Sequence, residues 1–416
     1  MLAVRTKTGH CLMPELYGEG PSVVVVGRGP AGLTAAIALA QGGLSTVLAG
    51  KSPAKSDNRT TALLAGSVTA LDTLSVWNLC AARAAPLKVM RIVDDTGRLW
   101  RAPEVMFQAS EIGLDAFGYN IENRYLTDAL EQRARGLSGL RIVDDDVISA
   151  VKDERTVAVK TRDEGILRAA LVIGADGCNS ICRGAAGIGT AERRYPQVAL
   201  TLCVRHSRPH QDTSTEFHTR TGPFTLVPLP GERSSVVWVL DRASAEHVAA
   251  LNDAELAREI ERALHSIVGK IEVEPGRGQF PLHVATARRF ADKRIALVGE
   301  AAHVIPPIGA QGLNLGLRDA ATISEVAIAA HRHGLDIGNP DVLARYETMR
   351  QADVRSRTLV VDLLNRTLLS DFLPTQGMRG LGLYLIDRIG SLRRAVMREG
   401  LGPASRQPRL MRGEAL

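Results

Sequence analysis

Apolar positions along the chain fall into continuous runs, alternating runs and helical stripes. The stretch from Ser22 to Val26 closes with four consecutive valines. An unbroken β-branched run of that length predicts a parallel strand buried on both faces. Ala31 to Gln41, rich in Ala and Leu, predicts a helix closed by Gly42-Gly43, and Leu44 to Leu48 a second short strand. Strand, glycine-rich turn, helix and strand within about 30 residues make a βαβ unit.

The pattern is helical between Arg59 and Leu79 and again over Arg124–Arg135. Apolar runs flanking Asp94-Asp95-Thr96-Gly97 predict a hairpin across Val89–Trp100. Leu140 to Val151 and Thr156 to Thr161 read as strands, and Leu167 to Ile173 as a buried strand ending in Gly174-Ala175-Asp176-Gly177. From Tyr195 to Thr286 short alternating runs take over (Ala199–Val204, Phe224–Pro228, Val236–Leu240, Ile271–Val273), which predicts an antiparallel sheet. One helix interrupts them, capped by Asn252 or Asp253, with Leu256, Ile260, Leu264 and Ile267 on one face. Arg294–Gly299 restores the buried-strand pattern, and a glycine-rich loop then leads into a helix through Ala330. Pro340 to Leu416 is helical.

At 416 residues, 45% hydrophobic and 23% charged, the chain has room for two or three domains and a large core, which excludes disorder as its main state. Five cysteines (Cys11, Cys80, Cys178, Cys182, Cys203) in so long a chain argue against a disulfide scaffold and for a reducing compartment. Cys178 and Cys182 lack a second ligand pair at zinc spacing and read as structural thiols; no metal is expected. The net charge of +6 is diffuse and comes without a basic, aromatic-rich motif, which argues against nucleic acid. Much of the excess lies beyond Pro340, where 13 Arg face 8 acidic residues. No apolar run reaches the roughly 18 residues of a membrane span, and Met1–Pro21 reads as a loose extension without a secretory signal.

Three glycine turns carry the chemistry. Gly27-Arg28-Gly29-Pro30-Ala31-Gly32 fits G-x-G-x-x-G between a strand and a helix. Its first glycine permits the turn, its second lets a pyrophosphate approach the backbone, and its third lets helix and strand pack closely. The carboxylate expected about 20 residues on, for the ribose hydroxyls, is missing: the second strand ends Leu48-Ala49-Gly50-Lys51. The other turns are Gly174-Ala175-Asp176-Gly177 with Arg183, and Gly299-Glu300-Ala301-Ala302-His303 running through Pro306-Pro307-Ile308-Gly309-Ala310-Gln311-Gly312-Leu313-Asn314. Turns more than a hundred residues apart imply one site, built from distant segments around a ligand larger than a mononucleotide.

This triple signature resembles the single-component, FAD-dependent aromatic hydroxylases of the para-hydroxybenzoate hydroxylase fold. Asn58-Arg59-Thr60-Thr61-Ala62-Leu63, Ile121-Glu122-Asn123, Arg318-Asp319, Leu392-Arg393-Arg394 and Met397-Arg398-Glu399-Gly400-Leu401 are most similar to the ubiquinone-biosynthesis hydroxylases. The resemblance implies an α/β fold: a Rossmann-like FAD-binding domain (22–93, 120–190 and 285–335) interleaved with an antiparallel-sheet substrate domain (94–119 and 195–284), then a helical region over 340–416. It implies that Gly27, Gly29, Pro30, Ala31 and Gly32 cradle the FAD pyrophosphate, and that Arg59 and Asn123 lie along the FAD cleft. The Val147 backbone would meet the adenine. Asp176 and Arg183 belong to the motif linked to the FAD phosphates and NAD(P)H. Gly299 carries the third turn, and Glu300 stands where the family has Asp on the ribitol chain. Pro306 and Gly309 would lie beside the flavin, with Gly312, Leu313 and Asn314 facing its pyrimidine edge.

By that resemblance NAD(P)H reduces FAD, and an oxygen atom from O2 is delivered to the ring of a polyprenyl phenol or quinone precursor. No catalytic acid, base or nucleophile is assigned. Bland readings stand beside these. Asp176 and Arg183 also read as a turn carboxylate with a surface partner, His303 as a structural histidine, Arg59 as a solvated helix start, and Gln279-Phe280-Pro281-Leu282 as a core strand. Leu381, Leu385, Ile389, Leu392 and Val396 share one helical face opposite Arg394 and Arg398. That face either packs on its own domain or meets a membrane surface or a partner in a biosynthetic complex; the protein is expected to be cytoplasmic, with any membrane contact on the inner face of the membrane. The function alternatives are a hydroxylase of a soluble aromatic, an oxygen-independent isoprenoid or quinone reductase, and a non-catalytic FAD-binding scaffold.

Overall fold

The computed structural model describes residues 22–52, 59–97, 102–153, 155–307, 309–369, 382, 384–386, 388–401 and 407–416. The N-terminal extension, Asn58, Ile308 and Leu381 lie outside them. The valine run forms β1 (Val23–Val26), followed by α1 (Pro30–Gln41) and β2 (Thr46–Ala49). All four valines are buried, as a strand covered on both faces requires. β1 is paired in parallel with β2 on one side and with Leu171–Gly174 on the other. The sheet continues through Leu140–Val143 beyond β2, and through Ile295–Leu297 to an antiparallel edge at Ala291–Asp292. α1, the helix Asn123–Arg135 and the 22-residue helix Gln311–Arg332 contribute to the main core with this sheet.

A second layer is a nine-stranded sheet centred on the 17-residue strand Thr190–His206, which pairs antiparallel with Gly278–Ala287, Arg233–Asp241 and Ile271–Val273. It is not purely antiparallel, because Thr213–His218 runs parallel to Val89–Asp94, the first strand of the predicted hairpin. The helix Asp253–Ala263 begins at Asn252, in a reciprocal capping box with Glu255. Leu256, Ile260 and Leu264 pack into this sheet's core. Ile267 is not on that helix: His265 and Ser266 adopt left-handed backbone angles (φ 49° and 53°), so it packs from the following turn. A second helix, Arg242–Ala250, is capped by Asp241 and had no strong apolar stripe to betray it.

Other boundaries also shift. Arg59–Leu79 opens with a strand, Thr60–Leu64, before the helices Ala65–Thr73 and Trp77–Cys80. Leu140–Val151 divides between two sheets, as Leu140–Val143 and Val147–Lys152, and Leu167–Ile173 divides likewise at Ala170. Among the described residues no helix is long and apolar enough to cross a membrane.

Candidate active site

The first glycine turn is fixed by contacts that leave no room for side chains. Gly27 has φ +109°, and a Cβ there would lie 2.2 Å from the Ala175 carbonyl oxygen; one on Gly32 would lie 2.1 Å from the Gly27 carbonyl oxygen. Gly29 differs: a Cβ on it would meet nothing within 4 Å. It is the N-cap of α1 in extended conformation, with no side-chain cap, and Pro30 follows at the first helical position. The first N–H groups of α1, from Ala31 onward, therefore have no side-chain partner at the cap and face an open space, the arrangement that binds an anion.

The second turn packs directly against the first. Asp176 accepts hydrogen bonds from Ser180 Oγ (2.6 Å) and the Cys182 N–H (3.0 Å), so its carboxylate shapes its own loop at the start of the helix Ile181–Ala186. Arg183 does not pair with it. Its guanidinium donates to the Cys178 carbonyl (2.6 Å) and across to the Ala301 carbonyl in the third turn (3.0 Å). Cys182 is buried, which pushes its thiol well above the usual range, whereas Cys178 is exposed.

Gly299 (φ +63°) brings the third turn onto the first: a Cβ on it would lie 3.4 Å from Ala31 Cβ, and one on Gly316 would lie 3.1 Å from Gly299 Cα. Two helices, α1 and Gln311–Arg332, thus meet on either side of one glycine. The second begins at Ala310 in a left-handed conformation (φ 55°), again without a side-chain cap. Gly309 and Gly312 are exposed, and a Cβ on either would meet nothing within 4 Å. Glu300 is exposed, Pro306 buried and Leu313 half-buried. The Asn314 side chain does not face this opening. It is buried, accepts from the Leu64 N–H (2.8 Å) and Ser67 Oγ (2.7 Å), and donates to the Ala62 (2.8 Å) and Ala310 (2.6 Å) carbonyls. It fastens the helix start to the strand Thr60–Leu64, leaving only backbone to face a ligand.

Arg59 precedes a strand, not a helix, and its guanidinium lies 5.5 Å from the centre of the Phe280 ring. Its carbonyl accepts from the Asn123 N–H (2.9 Å), and Thr61 Oγ1 donates to Asn123 Oδ1 (2.6 Å). Gln279, Phe280 and Pro281 are exposed, so this strand is not core there; Leu282 alone is buried. Val147, half-buried, opens the strand Val147–Lys152, which packs against the helix Ile181–Ala186 that follows the second turn.

The sequence picks out Arg318-Asp319 by resemblance and His303 as structural, but not the buried charge cluster they form behind the third turn. Asp319 accepts from the Gly299 N–H (3.0 Å) and Arg350 Nε (2.6 Å), and shares a 2.6 Å hydrogen bond with His303 Nε2. Burial pushes its carboxyl up, but the neighbouring His303 and Arg350 outweigh this and hold it below the usual carboxylate range. Asp353 receives Arg318, Arg350 and Arg357, and Arg357 reaches on to Gln311 Oε1 (3.1 Å) at the helix start. Arg350 was out of reach of local patterns because it lies on another helix, Pro340–Leu369.

The residues fit a flavin dinucleotide: two uncapped helix N-termini, side-chain-free approaches at Gly29, Gly309 and Gly312, and a cationic and aromatic wall at Arg59 and Phe280. Comparisons with known proteins agree. The family model described as FAD binding domain matches residues 21–358. The chain is 35% identical over 404 residues to "Ubiquinone hydroxylase UbiL" of Rhodospirillum rubrum, covering 95% of this chain and 93% of that one. It is 32% identical to the Escherichia coli "3-demethoxyubiquinol 3-hydroxylase", covering 93% of this chain and all of that protein (100%). Among solved structures, p-nitrophenol 4-monooxygenase PnpA of Pseudomonas putida superposes with a TM-score of 0.73 at 21% identity, over 92% of this chain and 98% of that one. That likeness is one of fold.

Proposed function

From its membership of the FAD-binding-domain family, to which this chain belongs over most of its length, we propose that it hydroxylates the aromatic ring of a polyprenylated phenol or quinone precursor in ubiquinone biosynthesis, using FAD, NAD(P)H and O2. It is a flavin-dependent monooxygenase by its relatives, and the substrate follows what those relatives are named for. The observation that carries the reading is the packing of the uncapped start of α1 and the second turn of the equally uncapped helix Gln311–Arg332 on either side of Gly299. When bound, FAD accepts hydride and activates dioxygen for transfer of one oxygen atom to an electron-rich ring.

The chain's own residues bind, orient and shield. The N–H groups at Ala31 and Gly32 suit a pyrophosphate, and those at Gln311, Gly312 and Leu313 suit the negative charge that a reduced flavin carries. Arg183 ties the second turn to the third, and Asp319 holds the Gly299 N–H, so the two helix starts keep one geometry. The nine-stranded sheet supplies a wall that keeps water from the ring. The expected role for NAD(P)H at Arg183 stays part of this proposal.

The C-terminal region supports a peripheral membrane contact for so apolar a substrate. The helix Gly390–Leu401 does pack on its own molecule, but through Met397 and Leu401 and through Arg393, which pairs with Glu111 (2.6 Å) and lies over Phe107. The face predicted from the sequence points away: Leu385, Ile389, Leu392 and Val396 are exposed, as are Arg394 and Arg398. An exposed aliphatic face with arginines on the opposite side of the helix suits the interface of an anionic membrane. Co-sedimentation with anionic liposomes should fall for a chain ending at Thr375; equal binding removes the membrane contact. For the activity, cells lacking this protein should accumulate a quinone precursor short of one hydroxyl, read by mass spectrometry. Unchanged quinone pools together with NAD(P)H-coupled oxygen uptake on a soluble phenol would move the substrate to the soluble class.

A further inference from the structure

The ribose carboxylate missing from the end of β2 has a structural counterpart one strand away. In a dinucleotide-binding βαβ unit that carboxylate follows the second strand, where this chain has Gly50 and Lys51. Gly50 has no side chain, and the space over its carbonyl is crossed by Arg28, the residue between the first two glycines (Nη1 to Gly50 O, 3.4 Å). Leu140–Val143 lies beside β2 in parallel register, with Val143 opposite Ala49 and the Gly50 N–H bonded to the Val143 carbonyl (3.1 Å). Asp144 is therefore the neighbour of Gly50 across the strand ends, about 5 Å away at ordinary strand spacing.

Its carboxylate is turned back toward β2 by an ion pair with Arg28 (Nη1 to Oδ1, 2.9 Å), and its carbonyl accepts from Lys51 Nζ (2.8 Å). Arg28 is only 4% exposed. Its other side is anchored by the buried Glu131 (2.8 Å), and its Nε has no hydrogen-bond partner. A buried guanidinium inside the phosphate-binding turn, with one N–H unpaired and a carboxylate drawn to it from the adjacent strand, is a built recognition element. The neighbouring acids are committed elsewhere. Glu131 serves Arg28, Ser52 and Arg135. Asp145 accepts from the N–H groups of Asp146, Asp163 and Glu164. Asp146 is drawn to Arg162 (3.6 Å), and Asp144, at 65% side-chain exposure, faces the open edge.

We propose that Asp144, steered by Arg28, binds the adenosine ribose hydroxyls of FAD in this chain, in place of the carboxylate that β2 lacks. The inference rests on the FAD reading above. Asp144 accepts the hydroxyl hydrogens, and Arg28 fixes the carboxylate so that little order is lost on binding.

The test is titration of the apoprotein, prepared from purified holoenzyme, with FAD and with its 2′,3′-dideoxyadenosine analogue, followed by flavin fluorescence. Asp144→Ala should weaken FAD binding ten- to hundredfold, as loss of hydrogen bonds to a charged group does. Asp144→Asn should fall between, and all three proteins should bind the dideoxy analogue alike. Unchanged FAD affinity in Asp144→Ala overturns the proposal, and so does an equal loss for both nucleotides, which would mark Asp144 as merely structural. A wild-type chain that binds neither nucleotide refutes the FAD reading itself and this proposal with it.

Discussion

Replacing Gly29 separates ligand contact from fold, because the three glycines of the first turn differ in what a side chain would meet. At Gly29 the backbone is extended (φ −70°, ψ 169°) and a Cβ has nothing within 4 Å. Gly29→Leu should therefore cost the apoprotein below about 1 kcal/mol, the loss of a favourable N-cap residue. At Gly27 a Cβ would lie 2.2 Å from the Ala175 carbonyl oxygen, at φ +109°. Gly27→Ala adds about 1–3 kcal/mol of backbone strain to about 1–3 kcal/mol of overpacking against backbone that cannot swing aside. Against a total stability of about 5–15 kcal/mol, that is a large share. The flavin responds in the opposite order. A leucine at residue 29 stands in front of the N–H groups of α1 and displaces the pyrophosphate. Losing two hydrogen bonds to a charged group, at about 1.5–3 kcal/mol each, weakens FAD binding by at least a hundredfold. Urea unfolding of the apoproteins and the yellow absorbance of the purified proteins read the two effects. A well-folded Gly29→Leu protein retaining full flavin would refute the placement of the pyrophosphate. Unfolding of Gly29→Leu comparable to that of Gly27→Ala would refute the contrast in packing.

Asp319→Asn removes one of the two carboxylates that face the buried Arg350 guanidinium, leaving only Asp353, and should cost up to about 3–5 kcal/mol in urea unfolding. Asn314→Ala strands the buried Ser67 hydroxyl and half-buried partners at Ala62, Leu64 and Ala310; at about 1–3 kcal/mol for a buried unpaired group and less for the half-buried ones, it should destabilise by about 2–3 kcal/mol and lower flavin affinity as the helix start loosens. Burial pushes the Asp353 carboxyl up, but the facing guanidiniums of Arg350, Arg318 and Arg357 hold it well below its ordinary value. A depressed carboxyl contributes its stability above the unfolded pKa, about 4, and loses it as pH falls through the folded value. Unfolding free energy should thus decline from about pH 4 downward, with a shallower slope in Asp353→Asn.

How much of this was legible depends on the range of the interactions that fix each element. β1, α1 and the start of the capped helix Asp253–Ala263 are written locally, in a β-branched run, a glycine turn and a capping box, and they stand within one residue of the reading, whereas that helix ends before Ile267. Thr60–Leu64 has no period of its own. It is a strand because Gly118–Glu122 pairs with it and Asn314 holds the Leu64 N–H, both from far along the chain. The sequence reads as strand from Leu140 to Val151, whereas the three acids Asp144-Asp145-Asp146 separate Leu140–Val143 in one sheet from Val147–Lys152 in another. At the site Gly27, Gly32 and Gly299 answer to a local backbone need, a positive φ or a close backbone approach, whereas the side chains of Asp176 and Asn314 turned inward to hold loops.

The missing ribose carboxylate shows why a departure from a motif is weak grounds for a lost contact. A motif counts along the chain, and by that count residue 50 should be acidic. A ligand meets the ends of adjacent strands, where residues 50 and 144 are neighbours although 94 positions separate them. Moving a carboxylate across one strand spacing erases it from the linear pattern while leaving it within reach of the same hydroxyls, provided something turns it back. Arg28 does so, and its presence inside the glycine turn was the one local sign, since a buried arginine there needs a carboxylate to pair with.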